Sequence, residues 1–162
     1  MKMEGPVATL VVDTAADLQI HVGRELGVSG WAFLEEDDVL GFAAITHDRH
    51  WVHTDPRRAR DEAGLDGLLA HGFLVLSTVT ALAGQCYAVR DAVRWTNYGL
   101  DRIRFTAPVF PGDALRLRLT LQAVAPGPRG TTRLDLGCVL ERRDADRPAL
   151  AATWIVLVEG AR

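Results

Sequence analysis

Ala70-His-Gly-Phe-Leu-Val-Leu-Ser-Thr-Val-Thr-Ala-Leu-Ala83 runs for 14 residues without one Asp, Glu, Lys or Arg. A segment apolar nearly all round predicts a helix buried on every side, not an amphipathic surface helix. At ~1.5 Å per residue it would span ~21 Å, about the width of a small sheet. Val75, Thr78, Val79 and Thr80 are β-branched and suit a strand as well, so length and the Ala and Leu content decide for helix. Gly84 follows and is expected in the left-handed conformation that ends many helices.

Downstream of residue 90 the pattern changes from helix and loop to a period of two. Leu115, Leu117, Leu119 and Leu121 alternate with Arg116, Arg118, Thr120 and Gln122, which describes a strand with one buried and one wet face. Pro126-Gly-Pro-Arg-Gly130 forces a turn before a strand over Thr131 to Glu141, and the stretch from Arg143 to Pro148 forces another before Ala149 to Glu159. These neighbours should pair antiparallel. Arg102 to Thr106 also alternates, and Val89 to Thr96 suits a further strand leading away from the helix. The whole predicts an α+β fold in which an antiparallel sheet curls around one long central helix.

The chain has 162 residues and is 48% hydrophobic, enough for one core in a single domain over 1–162, with 1–30 read as an N-terminal extension. Lys plus Arg number 18 against 21 Asp plus Glu, a net charge of −3, which provides no broad basic field for nucleic acid. The apolar run before Asp13 is six residues, too short for a signal core or a membrane span, so a cytoplasmic protein is expected. Cys86 and Cys138 lie far apart in apolar segments and read as small buried hydrophobes rather than a disulfide or metal knuckle.

Upstream of the central helix, a second, amphipathic helix is expected over Glu36 to Ile45. Val39, Leu40 and Ala43 form its stripe, and Glu36, Asp37 and Asp38 meet its positive end. It leads into Thr46-His-Asp-Arg-His-Trp-Val-His-Thr-Asp-Pro56, where two carboxylates, three imidazoles and a tryptophan share 11 residues. Such a density is costly to bury for packing alone.

At this point the sequence resembles the MaoC-like hydratase/dehydratase family, especially its branch similar to nodulation protein N. The resemblance is carried by Phe42-Ala-Ala-Ile-Thr-His-Asp48, Trp51-Val-His53-Thr-Asp-Pro56, Ala70-His-Gly-Phe-Leu-Val-Leu-Ser77, Asn97-Tyr-Gly-Leu-Asp-Arg-Ile-Arg-Phe105 and Ala107-Pro-Val-Phe-Pro-Gly-Asp113, five short matches in the right order. It implies a hot-dog fold, a homodimer with active sites at the subunit interface, and hydration of a trans-2-enoyl thioester to the (R)-3-hydroxyacyl thioester, or the reverse. It implies no cofactor and no metal beyond the coenzyme A or acyl carrier protein thioester that is the substrate.

Residue by residue, the resemblance places the catalytic acid–base pair on Asp48 and His53. It places the amide that faces the thioester oxygen on Gly72. His71 beside it is grouped with that oxyanion and substrate-binding position, as an orienting or core hydrogen-bonding residue more readily than a catalyst. Elementary chemistry supports these roles. A carboxylate and an imidazole holding one water can take its proton during attack on Cβ and return a proton to Cα. A glycine opening a helix offers an unpaired N–H at the positive dipole end, with no side chain in the way. The bland alternatives are Asp48 capping a turn, a solvated His53, and Gly72 serving close packing.

Two departures from the family pattern stand out. His47 occupies the position before the acid where the family usually has Gly, so a positive φ is expected of a histidine there. The stretch Asp61 to Leu69 lacks the Pro-Phe pair common in this branch, which leaves the pocket wall and substrate preference open. Arg57, Arg58 and Arg60 could meet the phosphates of a carrier, although a charged run is usually a solvated face. Asn97 and Tyr98 are expected to make structural hydrogen bonds near the sheet.

Three rival readings remain. His47, His50 and His53 recur every three residues with Asp48 and Asp55 nearby and would gather into a metal site on a helix, but Pro56 and Trp51-Val-His53 suggest extended or irregular backbone. The same fold also hosts thioesterases, and it can bind an acyl thioester without turning it over.

Overall fold

The computed structural model describes residues 1–4 and 10–161. The apolar run before Asp13 falls partly outside them. The alternating leucines form β7 (Ala114–Pro126), in which Leu115, Leu117, Leu119 and Leu121 are each 0–1% exposed. β7 pairs antiparallel with β8 (Thr132–Arg142), and β8 with β9 (Leu150–Gly160), across the two expected turns. Leu134, Leu136, Cys138 and Leu140 of β8 continue the buried face.

The strands expected over Val89 to Thr96 and Arg102 to Thr106 are instead one long strand, β6 (Ala92–Phe105), preceded by the short β5 (Tyr87–Val89). β6 pairs with β9 and breaks register at three places, which absorbs the irregular Tyr98-Gly99 and Arg102 steps that obscured its continuity in the sequence. Arg102 there has φ 53°. On the other side of β7 lie β4 (Trp31–Phe33) and, beyond it, β1 (Lys2–Glu4), so the main sheet runs β1-β4-β7-β8-β9-β6. β3 (Glu25–Val28) also pairs with β7, and β2 (Leu10–Val12) pairs parallel with β5. Within the stretch 1–30, Lys2–Glu4, Leu10–Val12 and Glu25–Val28 are thus paired into sheet.

The charge-free segment is a helix, α4 (Gly72–Ala83), packed in one core with the buried face of the sheet. Val75, Val79 and Leu82 are 0–3% exposed, and burial of side chains this size contributes about 1.5–3 kcal/mol each. Two expectations for it are corrected. It is not buried all round, because Phe73, Ser77, Thr80, Ala81 and Gly84 form an exposed stripe, with Phe73 at 71% exposure. Gly84 is right-handed (φ −61°, ψ −15°), because the last carbonyls are met by tight bonds, Gln85 N–H to Leu82 O and Cys86 N–H to Ala83 O.

Cys86 and Cys138 are free and buried, as read from sequence. Burial pushes their thiols up to about 11 and about 12 respectively, so neither is a ready nucleophile. Among the described residues no helix is long and apolar enough to cross a membrane.

Candidate active site

Three short helices lead up to α4 and carry the site. α1 (Glu36–Thr46) starts with a capping box, Glu35 with Asp38, and buries Val39 and Ala43. Ile45, though apolar, is 83% exposed. α1 ends because His47 turns left-handed, with φ 61° and ψ 12°. The positive φ expected at this histidine is present, and it swings the next residue, Asp48, away from the helix axis. Asp48 makes no side-chain capping bond among the described residues; its own N–H leans on Thr46 Oγ1 at 3.4 Å. Its side chain is 58% exposed.

The expected extended backbone at Trp51 to His53 is corrected to one helical turn, α2 (Trp51–Thr54). Pro56 restricts only the residue directly before it, and Asp55 alone takes the extended conformation, φ −129° and ψ 97°. Asp55 then caps α3 (Pro56–Ala63), accepting from the N–H groups of Arg57 and Arg58, with Pro56 at the first helical position. The helical turn aims His53 inward. Its Nδ1 lies 2.6 Å from the carbonyl oxygen of Leu69, while Leu69 N–H donates to Val52 O at 2.9 Å. A carbonyl only accepts, so Nδ1 carries the proton and Nε2 keeps its lone pair.

His71 caps the start of α4 and is 3% exposed. Its Nε2 donates to the main-chain oxygen of Asp48 at 3.0 Å and lies 4.0 Å from the carboxylate. The rings of His53 and His71 stack at 3.8 Å with 23° between their planes, and the ring of Phe42 of α1 lies 5.0 Å from that of His71, tilted by 51°. One polar side-chain atom from each of Asp48, His53 and His71 lies within 4.8 Å of the others. The next residue, Gly72, is the first of α4, where the N–H has no acceptor within the helix. A Cβ there would lie 3.1 Å from the ring of Phe105, so the glycine is also a close-packing position.

His53 has its pKa lowered from the ordinary 6.5. Half-burial is the main cause, and the imidazoles of His71 and His50 add to it, while the Leu69 carbonyl and the Asp48 carboxylate oppose it. The result is a neutral imidazole at pH 7, with a free lone pair close to an exposed carboxylate. That arrangement can take a proton from a bound water and return it.

The four residues singled out in the sequence, Asp48, His53, His71 and Gly72, are therefore brought together. The His47, His50, His53 triplet is not. The ring of His50 faces Val52 N–H at 3.4 Å and stands 6.5 Å from that of His53. Asp48, His53 and His71 do have metal-like spacing, but His71 Nε2 spends its hydrogen on a carbonyl, which leaves only the buried Nδ1 of that ring with a lone pair. Of the basic run, Arg58 is held by Glu62 at 2.8 and 3.1 Å and Arg57 by Asp61 at 3.6 Å. Asn97 and Tyr98 are exposed on β6 beside an apolar groove of ≈ 260 Å³ with Phe73, Leu76, Leu100 and Trp154. Sequence reasoning missed Leu69, Phe42 and Phe105 as partners of the site. The first acts through its backbone and so leaves no mark in its side chain.

The model of the MaoC like domain matches residues 17–133. Nodulation protein N of Rhizobium leguminosarum bv. viciae is 36% identical over 147 residues, covering 89% of this chain and 90% of that protein. The 3-hydroxyacyl-thioester dehydratase Z of Mycobacterium tuberculosis strain H37Rv is 35% identical over 145 residues, covering 89% and 95%. Among solved structures, the unliganded R-hydratase PhaJ1 of Pseudomonas aeruginosa superposes with a TM-score of 0.69 at 22% identity, covering 86% of this chain and 83% of that one. The sheet wrapped on α4 is the hot-dog fold of these neighbours. With most of its length matched by the domain model and by relatives above 30% identity, the chain belongs to the MaoC-like hydratase/dehydratase family.

Proposed function

We propose that the protein is a hydro-lyase that adds water across a trans-2-enoyl thioester to give the (R)-3-hydroxyacyl thioester, or runs the reverse dehydration. The observation that carries this reading is the approach of Asp48, His53 and His71 to within 4.8 Å beside the unpaired first amide of α4. In the forward direction the Nε2 lone pair of His53 accepts a proton from a water that Asp48 orients. The water oxygen bonds to Cβ, and the displaced electron pair moves onto the thioester oxygen, which accepts from Gly72 N–H. The proton on His53 then passes to Cα on the same face, and the imidazole returns neutral. Acid–base groups used this way contribute ~100- to 10,000-fold.

The apolar groove begins at Phe73, one residue beyond Gly72, and suits the acyl chain of such a substrate. Coenzyme A and acyl carrier protein are both acceptable carriers in this reading, and neither a cofactor nor a metal takes part. A homodimer fits as well. The site is open, and the exposed stripe of α4 beside the edge strand β6 offers apolar surface that a second copy would cover.

The test is incubation of the purified protein with trans-2-enoyl-CoA esters of graded length. Expected are loss of enoyl conjugation with the thioester intact, an (R) product, and no turnover by Asp48→Asn or His53→Gln. Release of free thiol would make it a thioesterase, and binding without turnover a non-catalytic acyl-thioester-binding protein.

A further inference from the structure

Within the site, one side chain touches both members of the acid–base pair without being either. His71 is buried in contact with the rings of Phe42 and His53, and its Nε2–H reaches the main-chain oxygen of Asp48. It thereby touches three segments at once: the turn after α1, the helical turn α2, and the entrance to α4. Its second ring nitrogen, Nδ1, is buried with no hydrogen-bond partner among the described residues. A buried acceptor left unpaired costs stability that an apolar side chain at the same place would not. Packing therefore does not explain a histidine at position 71. What the histidine supplies is a small flat ring for stacking together with a donor at its far edge.

We propose that His71 is the positioning residue of the site: its Nε2–H fixes Asp48 through the backbone and its ring face fixes the plane of His53, so one buried side chain sets the separation of the two groups that must hold a single water. This rests on the hydration reading above. His53 has its own anchor at the Leu69 carbonyl, which fixes the direction of Nδ1 but leaves the ring free to tilt about that bond. The stacked imidazole removes the tilt. Asp48 is largely exposed and follows a left-handed residue, so the bond to its carbonyl is the restraint that keeps the carboxylate near the imidazole.

Three variants separate the two contacts. His71→Phe keeps a ring beneath His53 and loses the donor; His71→Gln keeps a donor for the Asp48 carbonyl and loses the ring; His71→Ala loses both. Misplacement of reacting groups by about 1 Å costs on the order of 100-fold. The alanine variant is expected to lose about that much in kcat with KM within about 3-fold, and the phenylalanine and glutamine variants about 10-fold each. The NMR spectrum of the His53 imidazole reports position without reference to activity. The Nδ1–H tautomer is expected in every variant, because the Leu69 carbonyl sets it, whereas the ring proton shifts of His53 should hold where a ring still faces it, in wild type and His71→Phe, and move in His71→Gln and His71→Ala. If the alanine variant does not fold, the other two decide.

Equal losses in all variants that follow only their thermal stability, or an unchanged kcat, would overturn the positioning role. Activity surviving in Asp48→Asn would instead sink the hydration reading, and the imidazole spectra would still judge the placement of His53.

Discussion

The amide of Gly72 can be deleted without breaking the helix that carries it. Proline is tolerated at the first helical position, where the missing N–H has no helical acceptor to lose. His71 before it has φ −60° and ψ 136°, which is the region a residue preceding proline prefers. The new Cβ would meet the Phe105 ring at 3.1 Å, but that ring is 47% exposed and can swing by the few tenths of an ångström required. Gly72→Ala adds the same Cβ and keeps the N–H, so it is the control. Overpacking of about 1 kcal/mol in both variants is offset by up to about 1 kcal/mol of helix propensity gained on leaving glycine. Both should therefore unfold close to wild type. Losing one oxyanion donor costs about 2.7–4 kcal/mol, or 100- to 1,000-fold in kcat. Gly72→Pro should fall behind Gly72→Ala by that factor when loss of enoyl conjugation is followed at saturating substrate. A proline variant within about 3-fold of the alanine variant would refute the idea that this amide receives the developing charge.

Further expectations follow from the same geometry. Because the His53 pKa lies below 6.5 in the folded protein and the neutral ring is the base, the acid limb of kcat/KM should be centred below 6.5; a limb above it would contradict the burial assigned to the ring. The unfolded chain binds that proton first as pH falls, so the contribution of His53 to stability is complete above 6.5 and is lost between 6.5 and the lower folded value. Denaturation midpoints across that window should lose part of their slope in His53→Gln. Leu117→Ala, at a fully buried position, should cost roughly 2–5 kcal/mol in chemical denaturation while leaving the activity of the folded fraction unchanged. Dialysis against a chelator should leave the rate unchanged, because His71 Nε2 donates to a carbonyl instead of holding a cation.

Much of the fold could be read from the sequence wherever one physical preference acts alone. The leucines of β7 alternate because one face is wet and the other is not, and each of the four is buried. Where two preferences compete, the reading slipped. Gly84 permits a left-handed cap, but tight i to i+3 bonds had already met the carbonyls at that helix end. The turn Trp51–Thr54 is too short for any periodicity to declare itself. β6 looked like two strands because its three register breaks interrupt the alternation that marks a strand. That Asp48 and His53 come close together was legible because the two are near in sequence and lie within matched family motifs. The bond from His71 to Asp48 spans 23 positions and ends on a backbone atom, so no side-chain pattern could reveal it.

The anchor of the His53 imidazole is made of peptide groups. Leu69 receives the His53 proton on its oxygen and gives its own N–H to Val52, and the adjacent Ala70 N–H is tied to Val109 at 2.8 Å. None of these bonds depends on which side chains occupy the loop between α3 and α4. Mutations in residues 64–68 can therefore remodel the approach to the site while the imidazole stays put. A lineage carrying this scaffold can vary what that approach admits without moving His53.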